Sequence, residues 1–174
     1  AASEAGDNVT SLRADPTLGA GDDFNRLAEK LDQAHMQMGG ELPPAATGLG
    51  PDFILQARRA SRFDGLYAMM SVPQKDWSIL PTTAGEWDCL PLRETALAEL
   101  RKRGIIPEAL RRDSVDWATP GGWAVTGEIR GSDGQVRRWV YRYSGNALRP
   151  VLLWQDPSGQ ARRVFSAAVI QHTG

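Results

Sequence analysis

The feature that most restricts what this chain can fold into is a change of hydrophobic period at Trp123. From there Trp123, Val125 and Ile129 alternate with Thr126, Glu128 and Arg130, and a Ser132-Asp133-Gly134 turn follows. Beyond the turn, Val136, Arg138, Val140 and Arg142 alternate with Arg137, Trp139, Tyr141 and Tyr143. A period of two on both sides of a tight-turn signal predicts a β-hairpin. Ser144-Gly145-Asn146 and Asp156-Pro157-Ser158-Gly159 are further turn signals, and they bound a short strand at 151–155 and a last strand at 163–171. The C-terminal third is therefore expected to be a four-stranded antiparallel meander.

Upstream the period is helical. Asp22 and Asp23 can accept hydrogen bonds from the free amides of a first turn, and Phe24, Leu27, Ala28, Leu31, Ala34, His35 and Met38 then recur on one face. With Gly39-Gly40 as terminator, the spacing predicts a helix over 22–38. Pro43, Pro44, Gly48 and Gly50 make 41–50 a loop. Pro51-Asp52 opens a helix over 52–63, and 66–72 reads as a strand. Residues 73–91 look irregular. A further helix follows Pro91, carries Arg101, Lys102 and Arg103 at its end, and stops at Gly104. The fold class is α+β: two or three N-terminal and central helices packed on a C-terminal four- to five-stranded antiparallel sheet, most simply on one of its faces. Residues 1–21 read as a flexible N-terminal arm and 22–174 as a single domain.

Composition removes several functions. The 174 residues contain no apolar run of membrane-spanning length, and one Cys supplies neither an internal disulfide nor a multi-thiolate zinc site. The 20 basic and 21 acidic residues nearly cancel, but they are unevenly placed. Residues 1–57 hold nine acids and three bases, and 58–174 hold twelve acids and seventeen bases. Such halves can dock on each other or on a partner. Few Lys, an acidic first third and no basic helix argue against nucleic acid. Seventeen Arg against three Lys suggests a GC-rich bacterial or bacteriophage genome, and the Ala1-Ala2-Ser3 start suits either a processed secreted protein or an arbitrary chain boundary.

No metalloprotease, nucleophile-elbow, phosphate-loop or dinucleotide signature occurs, and no cofactor is implied. The residues that could carry chemistry are His35, expected half-buried on the helix stripe, Cys89 as a thiol nucleophile, and Glu86 with Asp88 as a carboxylate pair. Arg137, Arg138, Trp139, Tyr141, Arg142 and Tyr143 form an interleaved aromatic and basic hairpin that could bind a sugar, a base or a protein. The alternative for this hairpin is a face turned toward covering helices.

Gly104-Ile105-Ile106-Pro107, following an amphipathic helix, and Gly121-Gly122-Trp123-Ala124-Val125-Thr126, opening the sheet, together resemble the helix-to-sheet passage of type IVb pilin subunits. The likeness covers about thirty residues. It lacks that family's hydrophobic N-terminal helix and its second C-terminal cysteine, and it assigns no family. The function expected from the residues is a non-enzymatic assembly subunit of a periplasmic, extracellular or virion-type particle, acting through a protein partner or self-assembly. Two alternatives are a small secreted hydrolase or toxin domain, and a carbohydrate- or peptide-binding module on the hairpin aromatics.

Overall fold

The structure, a computed structural model, describes residues 9–11, 17, 19, 21–37, 46–106, 121–144, 148–155 and 161–163. In chain order its elements are α1 (Gly21–Gln33), α2 (Pro51–Ala57), β1 (Met69–Val72), β2 (Cys89–Pro91), α3 (Glu94–Lys102), β3 (Gly121–Thr126), β4 (Ile129–Arg130), β5 (Val136–Ser144), β6 (Arg149–Pro150), β7 (Leu153–Gln155) and β8 (Ala161–Arg163). Short 3-10 turns occupy Ser61–Phe63 and Gln74–Ile79. The class is α+β, with an antiparallel six-stranded sheet drawn mostly from the C-terminal half.

The anticipated hairpin is β3 with β5, in which Ala124 faces Tyr141 and Val125 faces Val140. Between Val125–Val140 and Ile129–Arg137 the first strand has three residues and the second has two, so a β-bulge lies at the β3–β4 junction. There the Trp139 amide donates to the Thr126 hydroxyl at 3.0 Å. The turn closes at Gly134, whose φ of 76° is the left-handed conformation that glycine adopts without a Cβ penalty.

The expected meander is present only in part: β3, β5 and β6 pair in chain order, but the later strands leave the sheet. The sheet runs β1-β5-β3-β2, with β4 and β6 also on β5, while β7 and β8 form a separate two-stranded ribbon. The early strands close both edges of the hairpin: Met69 pairs opposite Tyr141, and Leu90 opposite Val125. Val151 and Leu152, expected inside a strand, make isolated bridges to Ala46 and Tyr67. The rest of the last strand, beyond Arg163, lies outside the described residues.

The pleat sorts side chains to two faces, and a helix covers each. Met69, Ala124, Trp139 and Tyr141 pack with Phe53 and Ala57 of α2 and with Tyr67 and Leu152. Phe53 meets Tyr67 and Tyr141 edge-on, at centroid distances of 5.5 and 4.9 Å. Val72, Trp123, Val125 and Val140 pack on the other side with Leu97 and Leu100 of α3, and with Leu80 and Ile106. One covered face was expected; two are found, because the central residues of β5, 138 to 142, are all buried.

Each helix ends in the same hydrogen-bond pattern, a 6→1 and a 5→2 bond around a residue of positive φ. In α3 that residue is Gly104, as its sequence suggests. In α2 it is Arg59 (φ 61°), which stops the helix well short of residue 63. In α1 it is His35 (φ 54°), with the Met36 amide on the Leu31 carbonyl at 2.8 Å, so the helix ends before Gly39-Gly40. The β2 strand, unforeseen in a stretch read as irregular, takes Pro91 out of the helix start.

The expected N-terminal arm is pinned over Val9–Ser11. The Gly48 amide donates to the Val9 carbonyl at 2.7 Å, and the Ser11 hydroxyl donates to Asp52 at 3.0 Å. Gly50 lies against the Thr10 backbone so closely that a Cβ there would collide with it. Leu100, fully enclosed between α3 and the sheet, gives a direct check on this packing. Leu100→Ala is expected to lower the unfolding free energy by about 2–5 kcal/mol in urea titration; an unchanged midpoint would contradict the packing described.

Candidate functional site

The hairpin residues do not form a surface. Trp139 and Tyr141 are buried against α2, and Arg138 and Arg142, on the opposite face, are only 6% and 7% exposed. Arg138 is held by carbonyls, donating to Thr126 at 3.2 Å and to Pro81 at 2.6 Å. Arg142 lies over the Trp123 ring at 5.6 Å. Burying two guanidiniums is tolerable here because the donors meet oxygen or an aromatic face. Only Arg137 and Tyr143 of the six are partly exposed. Arg137 is committed to Asp133 by two parallel bonds of 2.8 and 2.6 Å, which clamp the hairpin turn.

The carboxylate and thiol candidates lie on the loop leading into β2, and their bonds are structural. Asp88 accepts from the Ala84 and Gly85 amides at 2.8 and 2.7 Å, closing the loop on itself. The Gly127 amide of the bulge donates to the Asp88 carbonyl at 2.9 Å. Glu86 pairs with Arg58 at 3.6 Å. Cys89 starts β2 opposite Thr126 and packs against the α2 side of the core. Burial pushes its thiol up from the ordinary value, the neighbouring Tyr141 hydroxyl pulls it down in part, and the Asp88 charge pushes it up again. That hydroxyl makes no hydrogen bond of normal geometry, and burial drives its own proton affinity up steeply. A nucleophile needs the reverse of this environment.

His35 is exposed, not half-buried, because the helix stops two residues before it and its backbone turns left-handed. Among the described residues no group of three or more His, Cys, Asp and Glu could hold a metal ion, and no described helix is long and apolar enough to cross a membrane.

What the structure does expose is the helix itself. No residue of α1 is buried. Phe24 and Leu27 are 57% and 47% exposed, and Met36, just past the cap, is 60% exposed. The acids Asp22 and Asp23 in the first turn and Lys30 in the last suit the helix dipole. A helix of this length is marginal in water without packing. The second exposed feature is Trp87, 41% exposed, with the Arg58 guanidinium 5.0 Å from its ring centre. The sequence contains the α1 stripe in plain view, but periodicity marks a face for burial without telling what buries it.

Two titrations check these environments. Cys89 is expected to react with iodoacetamide near neutral pH more slowly than a free thiol, and more slowly still in Tyr141→Phe, which removes the lowering contact; faster reaction would refute the assignment. Asp133 is held down to about 2, from an ordinary 3.8, chiefly by Arg137. Its folded value is depressed, so its contribution to stability is present above the ordinary carboxylate range and is lost as pH falls toward about 2. Carboxyl NMR should place its midpoint there and show it rising in Arg137→Gln. No protein-family model, curated protein or solved structure matches this chain.

Proposed function

We propose that this chain is a non-enzymatic assembly subunit of an extracytoplasmic or virion-type particle and that α1 is the element through which it contacts a protein partner. The observation that carries the reading is a thirteen-residue amphipathic helix with no buried residue. The other two described helices, α2 and α3, each place side chains in one of the two cores. Burying side chains such as Phe24 and Leu27 is worth about 1.5–3 kcal/mol each, a driving force the described structure leaves unused. The setting of the assembly rests on the sequence reading alone.

The catalytic alternatives lack support from geometry, since Glu86 and Asp88 are held by loop bonds and Cys89 is pushed toward the protonated thiol. A sugar- or peptide-binding platform on the hairpin would need Trp139 and Tyr141 at the surface, where they are not. The test is sedimentation velocity of the chain, alone and with the products of neighbouring genes, for the wild type and Phe24→Glu/Leu27→Glu. Association that disappears in the double variant, with thermal unfolding unchanged, is the expected result. Association that survives it intact would overturn the reading.

A further inference from the structure

The contacts that pin Val9–Ser11 join a seat and an occupant that are built separately. The seat, residues 47–52, is fixed by bonds of its own. The Thr47 amide donates to the Pro150 carbonyl at 3.1 Å, and the Thr47 hydroxyl donates to the Gly48 carbonyl and meets the buried Tyr67 hydroxyl, both at 2.8 Å. The Gly50 carbonyl accepts the Ile54 amide at 3.2 Å as α2 begins, and Phe53 and Ala57 carry that helix into the core. The occupant is different: Val9, Thr10 and Ser11 are half-buried and belong to neither core. Lifting them off is a local opening that leaves both cores packed.

Each of the three residues meets a different recognition group. The Val9 carbonyl takes the Gly48 amide at 2.7 Å, so this position is read through the main chain. Thr10 lies against Gly50, and the atoms nearest a Cβ placed there all belong to Thr10. The Ser11 hydroxyl donates to the Asp52 carboxylate at 3.0 Å, and Asp52 is only 3% exposed. Main-chain bonds that give affinity, with side-chain contacts that give specificity, are how folded domains take up extended peptides.

We propose that Gly48, Gly50 and Asp52 form a peptide-binding site, and that Val9–Ser11 is its resident ligand. The site takes a segment with a hydroxyl side chain two residues after the carbonyl that Gly48 binds. This inference does not depend on the reading of α1. Because the seat is preorganised, only the ligand bears the entropy of ordering. A ligand on the same chain is favoured by its effective concentration, so a free peptide competes when supplied at millimolar levels and when the resident contact is weakened. A second copy carries the same segment, which gives this one chemistry two sources, the chain itself and a neighbour.

The probe is the blocked peptide of residues 6–14, added to the full chain carrying Ser11→Ala, which weakens the resident ligand and leaves the seat intact. By NMR, the Gly48 amide resonance is expected to move saturably toward its wild-type position. The same peptide with Ser11→Ala should bind about tenfold more weakly, since it lacks a hydrogen bond to a charged acceptor. Gly50→Ala in the protein, at a φ of −97° open to any residue, should abolish binding of both peptides. Thermal unfolding verifies that each variant is folded, and the comparison of peptides on the Ser11→Ala chain does not need the Gly50 variant. Mixing the Gly50→Ala chain, whose Val9–Ser11 is intact, with the Ser11→Ala chain, whose seat is intact, separates the sources. A one-to-one dimer in sedimentation velocity assigns the site to exchange between copies, and monomers throughout assign it to the chain's own segment. A Gly48 resonance that ignores the peptide at millimolar concentration, or follows both peptides equally, overturns the inference and leaves Val9–Ser11 a fixed part of the fold.

Discussion

Pairing of β5 along both edges is the constraint on which the rest of the molecule depends. With β1 on one side and β3 on the other, its backbone groups are satisfied within the sheet, and its side chains are sent in both directions into packed layers. A strand buried on both faces usually reads as a continuous apolar run. This one does not, since Arg138 and Arg142 alternate with Val140 on the α3 side. The fold accommodates them by bringing acceptors to the guanidiniums. The bulge after Thr126 leaves a carbonyl for Arg138, and the loop at Pro81 supplies another. Trp123 provides an aromatic face for Arg142.

The same economy governs the loop before β2. Asp88 binds its own loop amides, its carbonyl takes the Gly127 amide, and Glu86 reaches back to Arg58 at the end of α2. Gly127 fits against the Gly85 carbonyl only because it has no Cβ. On the far side, Arg103 joins Asp76 to Glu99, tying the 3-10 turn before Pro81 to the end of α3. These polar side chains of the described body are therefore engaged in holding loops to the sheet.

Much of the fold was legible in the sequence where local chemistry decides it. Period-two alternation located β3 and β5, Gly104 marked the end of α3, and 66–72 contained β1. Strand order was not legible, because pairing of Met69–Val72 and Cys89–Pro91 with the hairpin is set by contacts distant in sequence. Two helix ends were misplaced for a related reason: His35 and Arg59 accept left-handed backbone that sequence rules reserve first for glycine. The sharing of faces along β5 was correct, yet the Arg138 and Arg142 side, open to water in a simple two-layer reading, is covered by α3 and its neighbours. Of the candidate site residues, sequence spacing gave positions but not burial, and burial is what removes Arg138, Trp139, Tyr141 and Arg142 from contact with a ligand.

The hydrogen bond between Gly48 and Val9 has a consequence for how such a chain can change over time. That bond joins two segments far apart in the chain, and α1 lies between them in sequence. Lengthening a segment whose ends are joined costs little, about 0.6 kcal/mol for each doubling, because the entropy of closing a loop grows only with the logarithm of its length. Substitutions there need not be compensated in the β5 core, and those in the core need not be compensated there. The architecture thus separates the part that must stay constant to fold from a part whose length and sequence are free to vary.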